Sequence, residues 1–560
     1  MLYSYFSYIY NERTKKTRLV FDSSATFQGK NLNNALLQGP DQGNKLVSVL
    51  MRFRLGEIGF SCDIEKMFYS FYVPESDRDL LRFFWFSRND PENEVVEFRA
   101  NVHVFGNRSS PAIANFGLKY ATKNLDDPKL CMAAEFINKN FYVDDGLGSA
   151  DSDADVVSLL EGSIQILSKF GIKLHKICSP SRTVSAVFPD NVLSKHTKSC
   201  KIISDNTDCR TLGVIWRLDD DSFSLSSTIP DRPFTKRSVL AVIHSIYDPL
   251  GLACPIVLEG KLLQRLVFQR KDKTTPEIEQ CGWDDPLPVQ YKEDWYKWVG
   301  SLRDIETLSI PRGRKPPGFG LVIKSELHCF SDASKDSIGK VIYLRSFNEA
   351  GDVSVAFICA SSKVSPRAAD TIPRLELSAA MDMVWTSKKV INELSLESND
   401  IFYYTDSLVV LGYLGNHNKR FSRYVARRVE EILRFSTIAQ WNHIAGTDNV
   451  GDIATRPHTV DLLRKTKWFA GPDFLQQGKY HSPAQPNIEV SLPEQCQVKT
   501  LSIKCSISSA YVFEHICNRT NCWQKAINIL TNVLKFIRMS VFFYFNHLRV
   551  TFKRKKILKK

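Results

Sequence analysis

At 560 residues the chain exceeds what a single hydrophobic core fills, so two to four domains are expected, and its 43% apolar and 24% charged residues are those of an ordinary soluble protein. The net charge of +13, from 74 Lys and Arg against 61 Asp and Glu, favours an anionic partner, of which nucleic acid is the commonest, over a mildly basic protein without one. Thirteen scattered cysteines, an odd number, argue against a disulfide framework and for a reducing compartment.

The start, MLYSYFSYIYNERTKK, is aromatic and polar and lacks the basic n-region of a secretory signal. Ile58, Phe60 and Cys62 then alternate with Gly59 and Ser61, which predicts a strand ending at Asp63. SSPAIANFGLKYATKNL predicts a helix with Ser110 as N-cap, Pro111 at the first helical position, and Ile113, Phe116 and Tyr120 on one face. FYVDDGLGS, Phe141 to Ser149, predicts a hairpin, because Asp-Asp-Gly is ordinary turn chemistry. Adjacent like charges are costly unless something compensates them, so a metal site competes evenly with a hairpin tip on this stretch alone. ADVVSLLEGSIQILSKFGIKLHKI gives a helix ending near Gly171 and then a strand.

Ser309 to Gly320, SIPRGRKPPGFG, reads as a linker, with three prolines, three glycines and three basic residues. Past it, ELHCFSDAS predicts a strand ending in Asp332, and KVIYLRS and VSVAFICASS predict two more. IPRLELSAAMDMVWTSKKVINEL predicts a helix with Leu377, Ala380, Val384 and Ile391 on one stripe. A strand meets a helix at Asp406 in IFYYTDSLVVLGYL, and the helix FSRYVARRVEEILRF precedes a strand in TIAQWNHIAG. Gly471 to Gln495, polar and proline-rich, reads as a second linker. The apolar stretch Ala526 to Val550 is interrupted by Lys535, Arg538 and His547 and reads as a buried or amphipathic helix rather than a membrane span. The basic end FKRKKILKK suits a solvated terminus better than a nucleic-acid tail. Cys517 and Cys522, with His515 nearby, lack a second pair at metal spacing, so no zinc site is expected there.

Two carboxylate constellations stand out. Asp63 ends a strand, and Asp144 and Asp145 follow about 80 residues later in the hairpin. If the strands are neighbours, three carboxylates converge, a set suited to two Mg²⁺ and to nucleotidyl transfer. DIEKMFYSF, SSPAIANFGL and FYVDDGLGS, in this order and spacing, resemble the palm motifs of reverse transcriptases, and the pol polyprotein of BEL/Pao-type LTR retrotransposons in particular. TRLVFDSSATFQGKNLNNALLQGP upstream, and LGVIWRLDDDSFSLS and KRSVLAVIHSIYDPLGLACPIVLEGKLL downstream, extend the resemblance over roughly residues 15 to 460.

The resemblance implies an α/β and α+β multidomain chain: fingers, palm and thumb of a right-hand polymerase, followed by an RNase H-like α/β domain. It divides the chain into a reverse transcriptase with partial fingers and palm (1–230), a thumb or connection-like segment (231–320), an RNase H-like domain (321–465), and a linker with a helical basic tail preceding a missing integrase (466–560). It makes Asp63, Asp144 and Asp145 the metal-binding carboxylates of the polymerase. It makes Phe68 the aromatic steric gate against a ribose 2′-hydroxyl, and Arg18 the fingers residue gripping the incoming triphosphate. Phe105 stands where some families carry a glutamine before the Ser-Pro motif. LGVIWRL would be the primer-grip hairpin.

The second set is Asp332, Glu376, Asp406 and Asp452, each on a different predicted element. SDAS, RLELSAA, YTDS and NVGDIATR resemble the four acidic motifs of RNase H, which cuts the RNA strand of a hybrid by two-metal chemistry. His443 lies near the place of the family's mobile histidine but falls in a strand. The implied function is an RNA-directed DNA polymerase with RNase H, using two Mg²⁺ (or Mn²⁺) per site. The implied partners are an RNA template, a DNA primer or hybrid, dNTPs, a tRNA primer and other element proteins, without a membrane. The implied location is cytoplasmic, in a virus-like particle with nuclear entry, and not secreted. Lys236, Arg237, Arg312, Arg314 and Lys315 are candidates for phosphate contacts along the hybrid's path, with a solvated face the commoner reading for any single one. An aspartic peptidase is not supported, since Asp221-Ser222-Phe223, Asp336-Ser337-Ile338 and Asp406-Ser407-Leu408 all lack the required glycine. The alternative is a decayed or domesticated copy that binds nucleic acid without catalysis, because the chain begins inside the expected fingers; intact acidic positions argue against it.

Overall fold

The computed structural model describes residues 5–11, 16–123, 125, 127–194, 199–201, 214–225, 229–268, 281–366, 371–397, 400–416, 419–477 and 492–495, with 527, 528, 531, 532 and 535. Residues 1–496 form one compact unit and 497–560 a second. The readings made for His515, Cys517, Cys522, most of 526–550 and the basic end lie outside the described residues. Among the described residues no helix is long and apolar enough to cross a membrane.

The chain opens with an antiparallel pair, β1 (Tyr5–Asn11) and β2 (Lys16–Asp22). Helix α1 (Leu46–Phe53) follows and buries Leu46, Val49, Leu50 and Phe53, which the 3.6-residue repeat gathers on one face. Next come β3 (Ile58–Ile64), the hairpin of β4 (Arg82–Phe86) and β5 (Val95–Arg99), α2 (Ser110–Ala121), α3 (Cys131–Lys139), β6 (Phe141–Tyr142), β7 (Asp145–Ala150), α4 (Asp153–Ser168) and β8 (Leu174–Cys178). Four of these strands make an antiparallel sheet in the order β6-β7-β3-β8. Phe136 and Ile137 of α3 and Val156 and Leu160 of α4 share a core with Phe60 of β3.

Helix α2 departs from expectation twice. Ser109 takes the cap position, and Ser110 is already helical, its hydroxyl donating to the Val104 carbonyl at 2.9 Å. The buried face is Ala114, Leu118 and Ala121, while Phe116 and Tyr120 are about half exposed. Those two rings lie 6.0 Å apart with the Lys123 ammonium over both, so they shield each other instead of entering the core. With apolar residues on both sides of a helix, periodicity alone does not select the inner one.

A second antiparallel sheet, in the order β12-β11-β10-β9, is built from β9 (Ser199–Lys201), β10 (Val214–Arg217), β11 (Ser222–Leu225) and β12 (Ser309–Pro311). Its β10-β11 hairpin is the one read from LGVIWRL. Between β11 and β12 run α5 (Lys236–Ser245), α6 (Cys254–Val267) and α7 (Lys292–Ser301).

The first expected linker is therefore structured, since Ser309–Pro311 is itself a strand of this sheet. Arg312 is fully buried; its guanidinium meets Asp221 at 2.7 and 2.8 Å and donates to the carbonyls of Phe53 (2.8 Å), Gly56 (3.0 Å) and Glu57 (2.5 Å). Arg54, also buried, donates to the Arg312 carbonyl at 2.9 Å and the Phe357 carbonyl at 2.6 Å. Arg314 is largely desolvated, which depresses its pKa, and Lys315 pairs with Asp151 at 3.2 Å. Lys236 donates to the Cys281 carbonyl at 2.8 Å, and Arg237 pairs with Asp284 at 2.7 Å. Four of these five candidates for phosphate contact, all but Arg314, hold the chain's own carbonyls or carboxylates, and for the buried Arg312 those partners compensate its desolvation.

The third sheet contains β13 (Val322–Ala333), β14 (Ser337–Asn348), β15 (Val353–Val364), β16 (Ile401–Thr405) and β17 (Trp441–His443). Its order is β15-β14-β13-β16-β17, with the first three antiparallel and the β13-β16 and β16-β17 pairs parallel. Helices α8 (Ile372–Leu394), α9 (Leu408–Gly415), α10 (Arg423–Phe435), α11 (Gly451–Thr455) and α12 (Val460–Arg464) complete the region. Leu377, Ala380 and Val384 are buried on α8 as expected, with Ile391 partly so. The strand expected in TIAQWNHIAG shortens to three residues, because Ile438–Gln440 winds into a 3₁₀ turn.

One apolar interior runs from α1 through Trp216, Phe223, Trp295 and Trp298 to Phe330, Tyr343 and Trp468. It crosses positions 230 and 320 without a break. Burying one large apolar side chain contributes roughly 1.5–3 kcal/mol, so these residues bind the first 496 positions into one body. An ion pair between Arg52 of α1 and Glu393 of α8 adds a separate link between these regions.

Candidate active sites

Strand β3 sets the first carboxylate group. Its register places Asp63 directly opposite Asp145 on β7, and the Ile64 N–H donates to the Asp144 carbonyl at 3.0 Å. Opposed residues of an antiparallel pair lie about 4.5–5.5 Å apart, so the expected neighbourhood is present. The turn itself sits earlier than expected. Val143 and Asp144 form the two-residue loop, Val143 carries φ +57°, and Asp145 already belongs to β7. A β-branched residue there is strained and persists only where the surroundings fix it. Gly146 serves packing instead of the turn, because a Cβ on it would meet Cys62 Sγ and the Phe141 ring at 2.7 Å.

Two neighbours were not found from the sequence. Lys176 on β8 pairs with the Asp63 carboxylate, and His175 Nδ1 lies 3.1 Å from the Asp63 carbonyl. Lys176 has φ +52°, near a register shift between β3 and β8. The only sequence signal was the alternation in KLHKI.

Phe68 lies on a 3₁₀ turn, Met67–Ser70, and is buried, with its ring 4.7 Å from that of Phe105 in an edge arrangement. Tyr69 also approaches Phe105, at 5.8 Å. The residue standing where some families carry a glutamine thus packs on the residue expected to be the steric gate. Arg18 lies on β2 opposite Ile9; its side chain lies outside the described residues.

The second group gathers from four elements. Asp332 is near the end of β13, Glu376 is on α8, Asp406 follows β16, and Asp452 is on α11. Gly451 permits the close approach of α11, since a Cβ there would lie 3.2 Å from the Asp332 nitrogen. The Thr455 hydroxyl donates to Asp332 at 2.9 Å, and the Ser407 hydroxyl to Glu376 at 2.5 Å. Asn449 Nδ2 lies 3.4 Å from Asp406 Oδ1, and Arg456 pairs with Asp452 at 2.8 Å. Burial, then the charges of Asp406 and Asp452, push Asp332 up to about 6. Burial, then Asp406 and Asp332, push Glu376 up to about 7 against the Ser407 hydrogen bond. Thr455, Asn449 and Ser407 were not singled out from the sequence, although each lies within three residues of a predicted carboxylate. His443 is on β17, its backbone in register with Thr405.

Among the described residues no group of three or more His, Cys, Asp or Glu is arranged as a ready-made metal site. The donor chemistry nevertheless fits a hard divalent cation. Both groups offer carboxylate oxygens, and the second carries mutual repulsion that a cation would relieve.

Residues 235–407 match the family model of the Pao retrotransposon-like RNaseH-like domain. The chain is similar to a Pao/BEL-type pol fragment. The Pao-like match takes in α5 through β16, with Asp332, Glu376 and Asp406, and ends before Asp452. No curated protein matches the sequence. Among solved structures, the foamy viral protease-reverse transcriptase dRH in complex with double-stranded DNA aligns with TM-score 0.50 and 13% identity over 79% of this chain and 65% of that one. The foamy viral protease-reverse transcriptase with an RNA/DNA hybrid aligns with TM-score 0.48 and 14% identity, covering 82% of this chain and 52% of that one. The Pao-like chain thus spans less than two thirds of the length of either. The first alignment shows a mixed α/β fold like that of a retroviral reverse transcriptase.

Proposed function

We propose that the chain is an RNA-directed DNA polymerase with ribonuclease H, belonging to the pol product of a retrotransposon. The observation that carries this reading is the presence, within one compact unit, of two all-carboxylate groups, one of them largely inside the Pao-like segment. The foamy viral chain of similar fold is described in complex with double-stranded DNA, which supports a nucleic-acid partner here.

In this reading Asp63, Asp144 and Asp145 would hold Mg²⁺ in a palm, and Asp332, Glu376, Asp406 and Asp452 would hold it in the nuclease site. The ions, when bound, would lower the pKa of the attacking hydroxyl or water and stabilise the leaving oxygen. The strained Val143-Asp144 turn fixes the height of Asp144 above the sheet. Lys176 holds the Asp63 carboxylate in place. Ser407 and Thr455 orient Glu376 and Asp332 through their hydroxyls. Phe68, backed by Phe105, would shape the floor beneath a nucleotide's sugar.

Primer extension on an RNA template with Mg²⁺, and hydrolysis of a labelled RNA/DNA hybrid, test the two halves separately. Extension should vanish in Asp144→Asn, and hydrolysis in Glu376→Gln. Equal, poor extension by wild type and Asp144→Asn would leave the alternative, a non-catalytic nucleic-acid-binding remnant.

A further inference from the structure

The stretch Gly471–Gln495 reads from sequence as a linker, yet its described end is docked. Leu492 is buried in the core that α8 and α10 share. The Pro493 carbonyl accepts from the Tyr413 hydroxyl at 2.8 Å, and the Ser422 N–H donates to the Glu494 carbonyl at 3.0 Å. Glu494 has φ +60°, a conformation that a residue with a side chain keeps only where its surroundings hold it. They do hold it. Arg374 donates through Nε (2.5 Å) and Nη2 (3.0 Å) to the two carboxylate oxygens, and the Ser422 hydroxyl donates to the second. A planar fork on two oxygens is also the geometry in which arginine takes a phosphate.

The surroundings are basic. Lys419, Arg420, Arg423 and Arg427 are exposed, and Arg374 and Arg428 lie over the Tyr424 ring at 4.7 and 3.5 Å from its centroid. Arg374 shares α8 with Glu376. Burial raises the pKa of the Tyr413 hydroxyl, and the charges of Glu494, Arg374 and Glu376 act on it after that, so all three lie within electrostatic range of one group. A polyanion approaching Glu376 would therefore meet a basic face whose arginine fork is already filled by an acid of the same chain.

We infer that Arg374 and Ser422 form a binding site for a backbone phosphate of a nucleic acid, and that Glu494 fills it as an internal anion which an incoming strand displaces. The inference rests on the reading of the Asp332 group as a site for RNA/DNA hybrid. The exchange keeps the Arg374 fork paired before and after, so it costs little at the arginine. The chain gives up the docking of residues 492–495.

The test is equilibrium binding of a fluorescein-labelled RNA/DNA hybrid to the full chain in EDTA, where no cutting occurs, across a range of salt. Glu494→Gln should tighten binding about fivefold and steepen the slope of log Kd against log salt by about 0.9, because the counterion the phosphate releases is then no longer offset by one taken up by a freed carboxylate. Arg374→Gln should weaken binding, and Glu494→Gln should add nothing in the Arg374→Gln background. Unchanged or weaker binding by Glu494→Gln overturns the inference, especially with a lowered thermal midpoint, which would mark Glu494 as a structural clamp. A gain that persists without Arg374 also overturns it. Failure of the wild-type chain to bind the hybrid at all overturns the hybrid-site reading itself.

Discussion

The two carboxylate groups answer the same electrostatic problem in different ways. Around Asp63 the protein supplies its own cation, Lys176, on the neighbouring strand. Around Asp332 and Glu376 the side-chain donors are the neutral hydroxyls of Thr455 and Ser407, and burial first, then the neighbouring carboxylates, raises their proton affinity. The first group thus has one carboxylate paired with a cation of the chain itself. The second carries a repulsion that only protons or a bound cation remove.

Separability is the largest effect the comparison predicts. Asp145→Asn should lower primer extension on the order of 100-fold, about 2.7 kcal/mol of barrier, and leave hybrid hydrolysis near wild type. Asp406→Asn should do the reverse, and equal loss of both activities in either variant would merge the two groups into one. Arg312→Met ranks next. It deprives Asp221 of its cation, leaves unsatisfied three carbonyls that Arg312 now serves, and should destabilise the 1–496 unit by about 3–5 kcal/mol in denaturant unfolding, degrading both activities together.

The smallest effect is the most diagnostic. The folded chain holds the Asp332 proton to about pH 6 and the Glu376 proton to about pH 7, whereas the unfolded chain releases them near 3.8 and 4.5. Within that window the folded state binds more protons, so stability falls as pH rises and the penalty is complete above about pH 7. Asp332→Asn should therefore raise the thermal midpoint of the metal-free protein by about 2 °C at pH 8, with the gain fading towards pH 4.5. Asp63→Asn should give no gain at pH 8, since it deprives Lys176 of its partner. A gain there as large as that of Asp332→Asn would erase the contrast.

What could be read in advance followed from local rules. A strand ending in Asp63 and a hairpin carrying Asp144 and Asp145 were legible because alternation and turn chemistry are short-range signals. So were the elements bearing Asp332, Glu376 and Asp406. The failures share a different cause. Arg312 looked like a linker residue because its partner, Asp221, lies far away in sequence and on another strand. Phe116 and Tyr120 looked like core because a helix with two apolar sides does not declare which one is inside. The turn fell on Val143-Asp144 rather than on Asp-Gly because Gly146 was already claimed by its contact with Cys62. Lys176 and Glu494 became visible only once β8 and residues 492–495 had been placed beside their acceptors.

Helix α1 has a consequence beyond either carboxylate group. Leu46, Val49, Leu50 and Phe53 share one apolar interior with Phe330, Tyr343 and Trp468, hundreds of residues further on. Cut between them, each half would present to water a greasy face that its partner once covered, an aggregation hazard. A crossover between two divergent copies at that seam would join mismatched faces. The two halves of this chain are in that sense a single unit of inheritance, free to vary within but not to be exchanged.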